Sequence, residues 1–365
     1  MLLAKIITHL ESIAHPIFQE SYDNCGLLVG NRNMEVTGIL VALDSIEAIV
    51  DEAIEKKCNL IVAHHPIVFS GLKKINGNSY VERVLIKAIK NDIAIYAIHT
   101  NLDHVLSGVN SKICEKIGIQ NYKILAPKKG LLRKLVTYCP KQHTAAVRKS
   151  LWDAGAGEIG NYFEVSFSAE GIGTFKGNEN SNPVFGVKGE LIEESEDRLE
   201  IIYSVNKETA ILSALFKSHP YEEVGYELIP IANSWQDVGS GMIGNLNTPI
   251  PLNDFLQTLK VAMNTAVIRY TPIAGKMIAK VAVCGGAGSF LVQDALSAGA
   301  DILISADFKY HQFFDGEGEM VIADIGHFES EQFTIDLLAD LLKQKLPTFA
   351  ILKTGINTNP ITYLT

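Results

Sequence analysis

The sequence predicts an α/β parent domain, with mostly parallel sheet flanked by helices, interrupted by an inserted α+β domain of ferredoxin-like type. Three observations carry that expectation. Short apolar runs alternate with helical patterns at both ends of the chain, the alternation breaks over residues 128–232, and it then resumes. A length of 365 residues with 47% apolar content suits two domains with a sizeable core.

Taken in order, apolar residues at helical spacing predict an amphipathic helix at the start of the chain, and Tyr22-Asp23-Asn24-Cys25-Gly26 is a turn signal before a short strand. A strand over 38–43, a helix over 45–57, a strand over 60–63, a helix over 80–90, a strand over 93–98 and a helix over 109–117 follow. This is the grammar of a parallel sheet. The middle reads as strand 135–140, helix 144–154, a strand-like piece 162–167, strand 198–205, helix 207–216 and strand 226–231. Two βαβ-like halves around an irregular centre suggest the ferredoxin-like insert. The acidic run Glu193-Glu194-Ser195-Glu196-Asp197 reads as a solvated turn. Beyond 234 come helix 252–263, strands 267–270 and 278–284, a glycine-rich turn, a helix to 298, strands 302–305 and 320–325, helix 330–346 and strand 349–353. The expected domains are therefore 1–127 with 233–365, and 128–232.

A net charge of -9 argues against nucleic-acid binding through a basic surface. Five scattered cysteines without a CxxC pair fit neither a disulfide framework nor a zinc ribbon, and point to a reducing compartment. No segment approaches the roughly 20 apolar residues needed to span a bilayer. The expectation is a soluble, cytoplasmic protein.

Chemistry concentrates where apolar runs end. His64 and His65 close the run 59–63, and Pro66 turns the chain so that both rings can converge. Another apolar strand opens into His99-Thr100-Asn101-Leu102-Asp103, where Asp103 offers a hard oxygen donor or, more plainly, a helix cap. The apolar strand 320–325 leads to Gly326-His327, and Glu331 lies four residues on, one helical turn away on the same face, as a ligand or, more plainly, as a carboxylate favoured near a helix N-terminus. In an open α/β sheet, groups at the carboxyl ends of strands meet in one cleft. His64, His65, Asp103, His327 and Glu331 exceed what one structural zinc takes and suit two divalent ions about 3.5–4 Å apart, bridged by a carboxylate. An N/O donor set fits zinc, with iron and manganese as alternatives. Cys284-Gly285-Gly286-Ala287-Gly288-Ser289 could present amides to an anion or simply allow close packing. Lys309 and His311 follow another strand and are candidates for substrate contact or for a solvated loop.

Tyr22-Asp23-Asn24 with Gly26-Leu27, Ala63-His64-His65-Pro66, His99 through Asp103, Lys309-Tyr310-His311 and Gly326-His327 with Ser330-Glu331 resemble, in order, the motifs of the Nif-three-like family, whose members are often labelled GTP cyclohydrolase 1 type 2 homologues. The resemblance implies a dinuclear metal site at His64, His65, Asp103, His327 and Glu331, the last bridging, and a ring-shaped homohexamer. Residues 128–232, especially His219-Pro220-Tyr221-Glu222-Glu223, resemble the PII-like or CutA-like insert of longer members.

If that label holds, the substrate is GTP or another nucleotide, and a metal-activated water opens the guanine ring, with His99, Lys309 or His311 carrying protons or steadying phosphates. A hydrolase of phosphoesters or amides, and a non-catalytic metal-binding regulatory scaffold, are the competing readings.

Overall fold

The computed structural model describes residues 1–364. They divide into two compact units, one formed by Met1–Pro127 together with the segment that begins at Asp237, the other by Lys128–Gln236.

The first unit is mixed α/β with two sheets. In the five-stranded sheet the order is Gly26–Val29, Ala94–Ala97, Leu60–Ala63, Ile39–Ala42 and Ile351–Lys353, and only the outer Gly26–Val29 runs antiparallel to its neighbour. Every residue of the three central strands is buried. Leu40, Ile61 and Ile95 face a core built with Ile49, Val50, Val84 and Leu85 from the helices Glu47–Glu55 and Tyr80–Lys90. The alternate residues Val41, Val62 and Tyr96 are equally buried on the opposite face. Unbroken apolar runs, rather than alternating ones, are what a doubly covered parallel sheet requires.

The six-stranded sheet has the order Arg269–Tyr270, Val321–Asp324, Ile302–Ala306, Met277–Ala287, Trp235–Pro251 and Gln120–Lys128. Its three interior strands from 277 to 324 are parallel, while Arg269–Tyr270 and Trp235–Pro251 pair antiparallel with them. The strand Trp235–Pro251 was not expected, because three glycines and two prolines break its apolar pattern. Gly239 and Gly244 explain the glycines: an added Cβ would lie 2.2 Å from the Ala126 carbonyl oxygen and 2.5 Å from Ile119 Cγ2 respectively. The helix expected over 330–346 is two helices, His327–Glu331 and Thr334–Lys345.

In the second unit, strands Phe167–Phe175, Ile192–Ser204, Leu132–Pro140 and Tyr226–Pro230 form an antiparallel sheet in that order. Helices Thr144–Asp153 and Glu208–Ser218 pack Val147, Leu151, Ile211 and Leu215 on Leu135, Leu199, Ile201 and Tyr203. The acidic run 193–197 is not a turn but lies inside the strand Ile192–Ser204. Glu196 is buried there, and its carboxylate accepts a 2.7 Å hydrogen bond from the Tyr221 hydroxyl. Among the described residues no helix is long and apolar enough to cross a membrane.

Tyr96 is fully buried in the first sheet, and its hydroxyl has no hydrogen-bond partner. Burying an unpaired hydroxyl costs about 1–3 kcal/mol, so Tyr96→Phe is expected to raise the unfolding free energy by about 1 kcal/mol. Denaturant unfolding measures it; a loss of stability would show that the hydroxyl is satisfied.

Candidate metal centre

Parallel register brings the chemistry to one edge of the first sheet. Ala42, Ala63 and Ala97 are neighbours across three strands, so the residues after them, Asp44, His64 with His65, and His99, emerge side by side. The second sheet supplies the rest: Val321–Asp324 ends before Gly326-His327, and Ile302–Ala306 ends before Asp307. The donors therefore come from the carboxyl ends of strands in two sheets, not from the rim of a single one. The chain positions differ by more than two hundred residues, yet His65 Nε2 lies 2.9 Å from Glu331 Oε2.

Each imidazole is oriented by an acceptor on its Nδ1. The Nδ1–H of His64 donates to the Ile98 carbonyl at 2.8 Å, His65 to Asp44 at 2.7 Å, His99 to Asp23 at 2.8 Å and His327 to Asp307 at 2.6 Å. With Nδ1 occupied, every ring turns Nε2 inward, the arrangement that outer-shell carboxylates impose on metal-binding histidines. Asp307 is held at a positive φ of 59° to make its contact, a conformation costly for a residue with a side chain. Burial works to raise the Asp23 carboxyl, but hydrogen bonds from His99, Thr100 and Cys25 outweigh it and hold the group well below the usual carboxylate range.

The inward atoms form three groups, His64 with His65 and His99, His65 with His327 and Glu331, and His64 with Asp103 and Glu331; within each, the ligand atoms lie within 4.8 Å of one another. All five sequence-derived ligands are thus together, and His99, expected as a proton carrier, joins them. His64 Nε2 is 3.6 Å from Asp103 Oδ1 and 3.8 Å from Glu331 Oε1. Both His64 Nε2 and Asp103 Oδ1 are buried without a hydrogen-bond partner. Orphaned buried groups of this kind are costly, and a divalent cation coordinating both would satisfy them, so the residues fit a metal ion.

Electrostatics agree. Asp103 is driven well above its ordinary pKa, first by burial and then by the charge of Glu331. Burial opposes ionisation of Glu331 as well, but the surrounding imidazoles, His327 and His65 foremost, hold it ionised. Burial would lower His65, yet its bonds to Asp44 and Glu331 push it up to about 10; in the same way Glu331 and Asp307 carry His327 to about 9.

A cleft of about 730 Å³ opens on this cluster. Its wall includes Gly285 and Gly286, whose amides already donate to Asn110 Oδ1 and Ser330 Oγ, so they do not cradle an anion. Gly286 instead gives room: at its φ of 61°, an added Cβ would lie 2.5 Å from Glu331 Oε1. Lys309 and His311 do not line the cleft; both are exposed, and the His311 ring packs edge-on to Tyr310. Sequence reasoning did not single out Asp44, Asp307 or the part of Asp23 in holding His99. For Asp44 and Asp307 the available signal was a carboxylate one or two residues beyond a buried strand, which reads equally well as a turn former.

Residues 1–360 match the family model described as Duf34/NIF3 (NGG1p interacting factor 3). A protein of Halalkalibacterium halodurans named GTP cyclohydrolase 1 type 2 homolog is 38% identical over 347 residues, covering 94% of this chain and 93% of its own length. Its namesake in Bacillus subtilis is 35% identical over 365 residues, covering 99% and 98%. The crystal structure of a Bacillus cereus protein related to NIF3 has a TM-score of 0.86 at 35% identity, over 100% of this chain and 99% of that one.

Two outcomes follow from the geometry. Coordination needs neutral imidazoles, so zinc uptake near pH 7 is expected to release protons from His65 and His327 and to weaken as pH falls. Calorimetry in two buffers of different ionisation enthalpy checks this; no proton release would contradict it. Gly286→Ala is expected to displace the Glu331 carboxylate and weaken metal binding at least about tenfold, read by competition with a chelating dye. Wild-type affinity would show that the contact is not tight.

Proposed function

The chain belongs to the Duf34/NIF3 family, and from its clustered donors we propose that it is a dinuclear-metal-dependent hydrolase. The observation that carries the proposal is the position of Glu331, whose Oε1 faces His64 and whose Oε2 faces His65 and His327. A carboxylate shared between two donor groups suits two ions. His64 and Asp103 would hold one with Glu331 Oε1, and His65 and His327 the other with Oε2. Zinc, iron and manganese all suit nitrogen and carboxylate donors. Bound there, such ions supply Lewis-acid chemistry, acidifying water and polarising a substrate oxygen.

The chain's own groups do the rest. Asp44, Asp23 and Asp307 fix the imidazoles, and burial of Glu331 and His64 keeps bulk water from competing for the charges. His99 presents Nε2 toward the cleft with Asp23 behind it, a pair able to take a proton from water and return it to a leaving group. The name those relatives carry makes GTP a candidate substrate. Phosphoesters and amides are open to the same chemistry. We read the second unit as the ferredoxin-like insert, because its strand–helix–strand–strand–helix–strand order and the antiparallel sheet order, second, third, first, fourth, support it.

The test is hydrolysis by zinc- or manganese-loaded protein of GTP with formate detection, bis(p-nitrophenyl) phosphate and p-nitrophenyl acetate. His64→Ala and Glu331→Gln are expected to lose most bound metal and to cut metal-dependent turnover at least about 100-fold. Absence of metal-dependent turnover on all three substrates, with two ions bound, would overturn the hydrolase reading.

A further inference from the structure

Three aromatic rings, Tyr22, Phe69 and Phe290, line the cleft that also holds His65, His327 and Glu331. They are 61, 52 and 62% exposed. Tyr22 and Phe69 meet with ring centroids 6.3 Å apart and planes tilted by 45°, forming a continuous apolar wall, while Phe290 comes from the short turn after the glycine-rich strand end. Large apolar side chains left in water at the mouth of a site are stabilised by whatever covers them, and aromatic faces favour a flat π-system.

The charges in the same cleft point the same way. Among the described residues no lysine or arginine lines it, and its carboxylates are those of Glu20, Asp103 and Glu331. Of its imidazoles, His65, His99 and His327 belong to the candidate metal cluster, and His104 Nε2 lies 3.3 Å from Glu20 Oε1. If a ring is held for reaction at the cluster, a phosphate chain attached to it lies farther out, against aromatic rings and the Glu20–His104 pair, with no lysine or arginine to offset its charge. A polyanion there meets repulsion or, at best, solvent. If the phosphates lie at the cluster instead, the exposed rings at the mouth have no part in binding.

We propose that the cleft recognises a planar, uncharged heteroaromatic ring, a nucleobase, its nucleoside or a related cyclic amide, through Tyr22, Phe69 and Phe290, and gains no affinity from a phosphate chain. The proposal names the substrate class of the hydrolase and rests on that reading for the reaction, although ring binding is measurable apart from turnover. It assigns the triphosphate of GTP no role in binding.

The experiment titrates zinc-loaded full-length protein with guanosine, GTP and inorganic tripolyphosphate, by calorimetry and by ligand-observed NMR. Guanosine is expected to bind within about threefold of GTP, tripolyphosphate is expected not to displace it, and Tyr22→Ala, Phe69→Ala and Phe290→Ala are each expected to weaken guanosine about tenfold with two ions still bound. GTP binding more than tenfold tighter than guanosine, displacement of guanosine by tripolyphosphate, or unchanged guanosine affinity in all three variants would overturn the proposal. Metal-dependent cleavage of bis(p-nitrophenyl) phosphate, measured in parallel, separates the two ideas. Cleavage without ring binding sinks the ring proposal and leaves the hydrolase standing; ring binding without any turnover does the reverse.

Discussion

Glu331 is the point on which the first unit turns: a carboxylate only 2% exposed, ringed by His64, His65 and His327. A lone buried carboxylate would be expensive, by several kcal/mol even after relaxation, and would neutralise itself instead. Here it stays ionised because the imidazoles around it are themselves backed by acceptors, so that Asp44, His65, Glu331, His327 and Asp307 form an alternating chain of hydrogen bonds. That chain begins on one sheet and ends on the other. It therefore ties the two sheets of the unit together at the same place where it organises the donors.

The surrounding backbone is shaped to allow this. Gly286 leaves space for the Glu331 carboxylate, and Gly326, at a φ of 93°, precedes His327 where an added Cβ would lie 2.2 Å from Glu329 Oε2. Asn110 and Ser330 anchor the glycine-rich strand end through the amides of Gly285 and Gly286. Against this well-satisfied frame, the unpartnered His64 Nε2 and Asp103 Oδ1 stand out. A fold that satisfies its neighbours so fully, yet leaves two polar atoms facing each other in the interior, has a pair of donors there that could hold a cation.

Much of this was legible in the sequence because the strands that carry it are buried on both faces. Runs such as 60–63 and 94–97 are unbroken by polar residues, so the first histidine after each marks a strand end, and parallel topology places strand ends together. What periodicity does not encode is which sheet a strand joins. The donors at 64–103 and at 327–331 therefore looked like one rim and belong to two. The long strand Trp235–Pro251 escaped notice because its glycines serve close packing against Ile119 and Ala126. Asp44 and Asp307 escaped for another reason: an aspartate beyond a strand has the same local signature whether it forms a turn or orients a histidine, and so has Asp23 in the turn before Gly26–Val29. Only the distant ring that completes the hydrogen bond tells them apart.

The central claim is that Glu331 is shared by two cations. Anomalous diffraction at the metal edge, from crystals of protein purified without chelator, tests it most directly. The account predicts two peaks flanking the Glu331 carboxylate, one beside His64 and Asp103 and the other beside His65 and His327. A single peak, or peaks remote from Glu331, would contradict it.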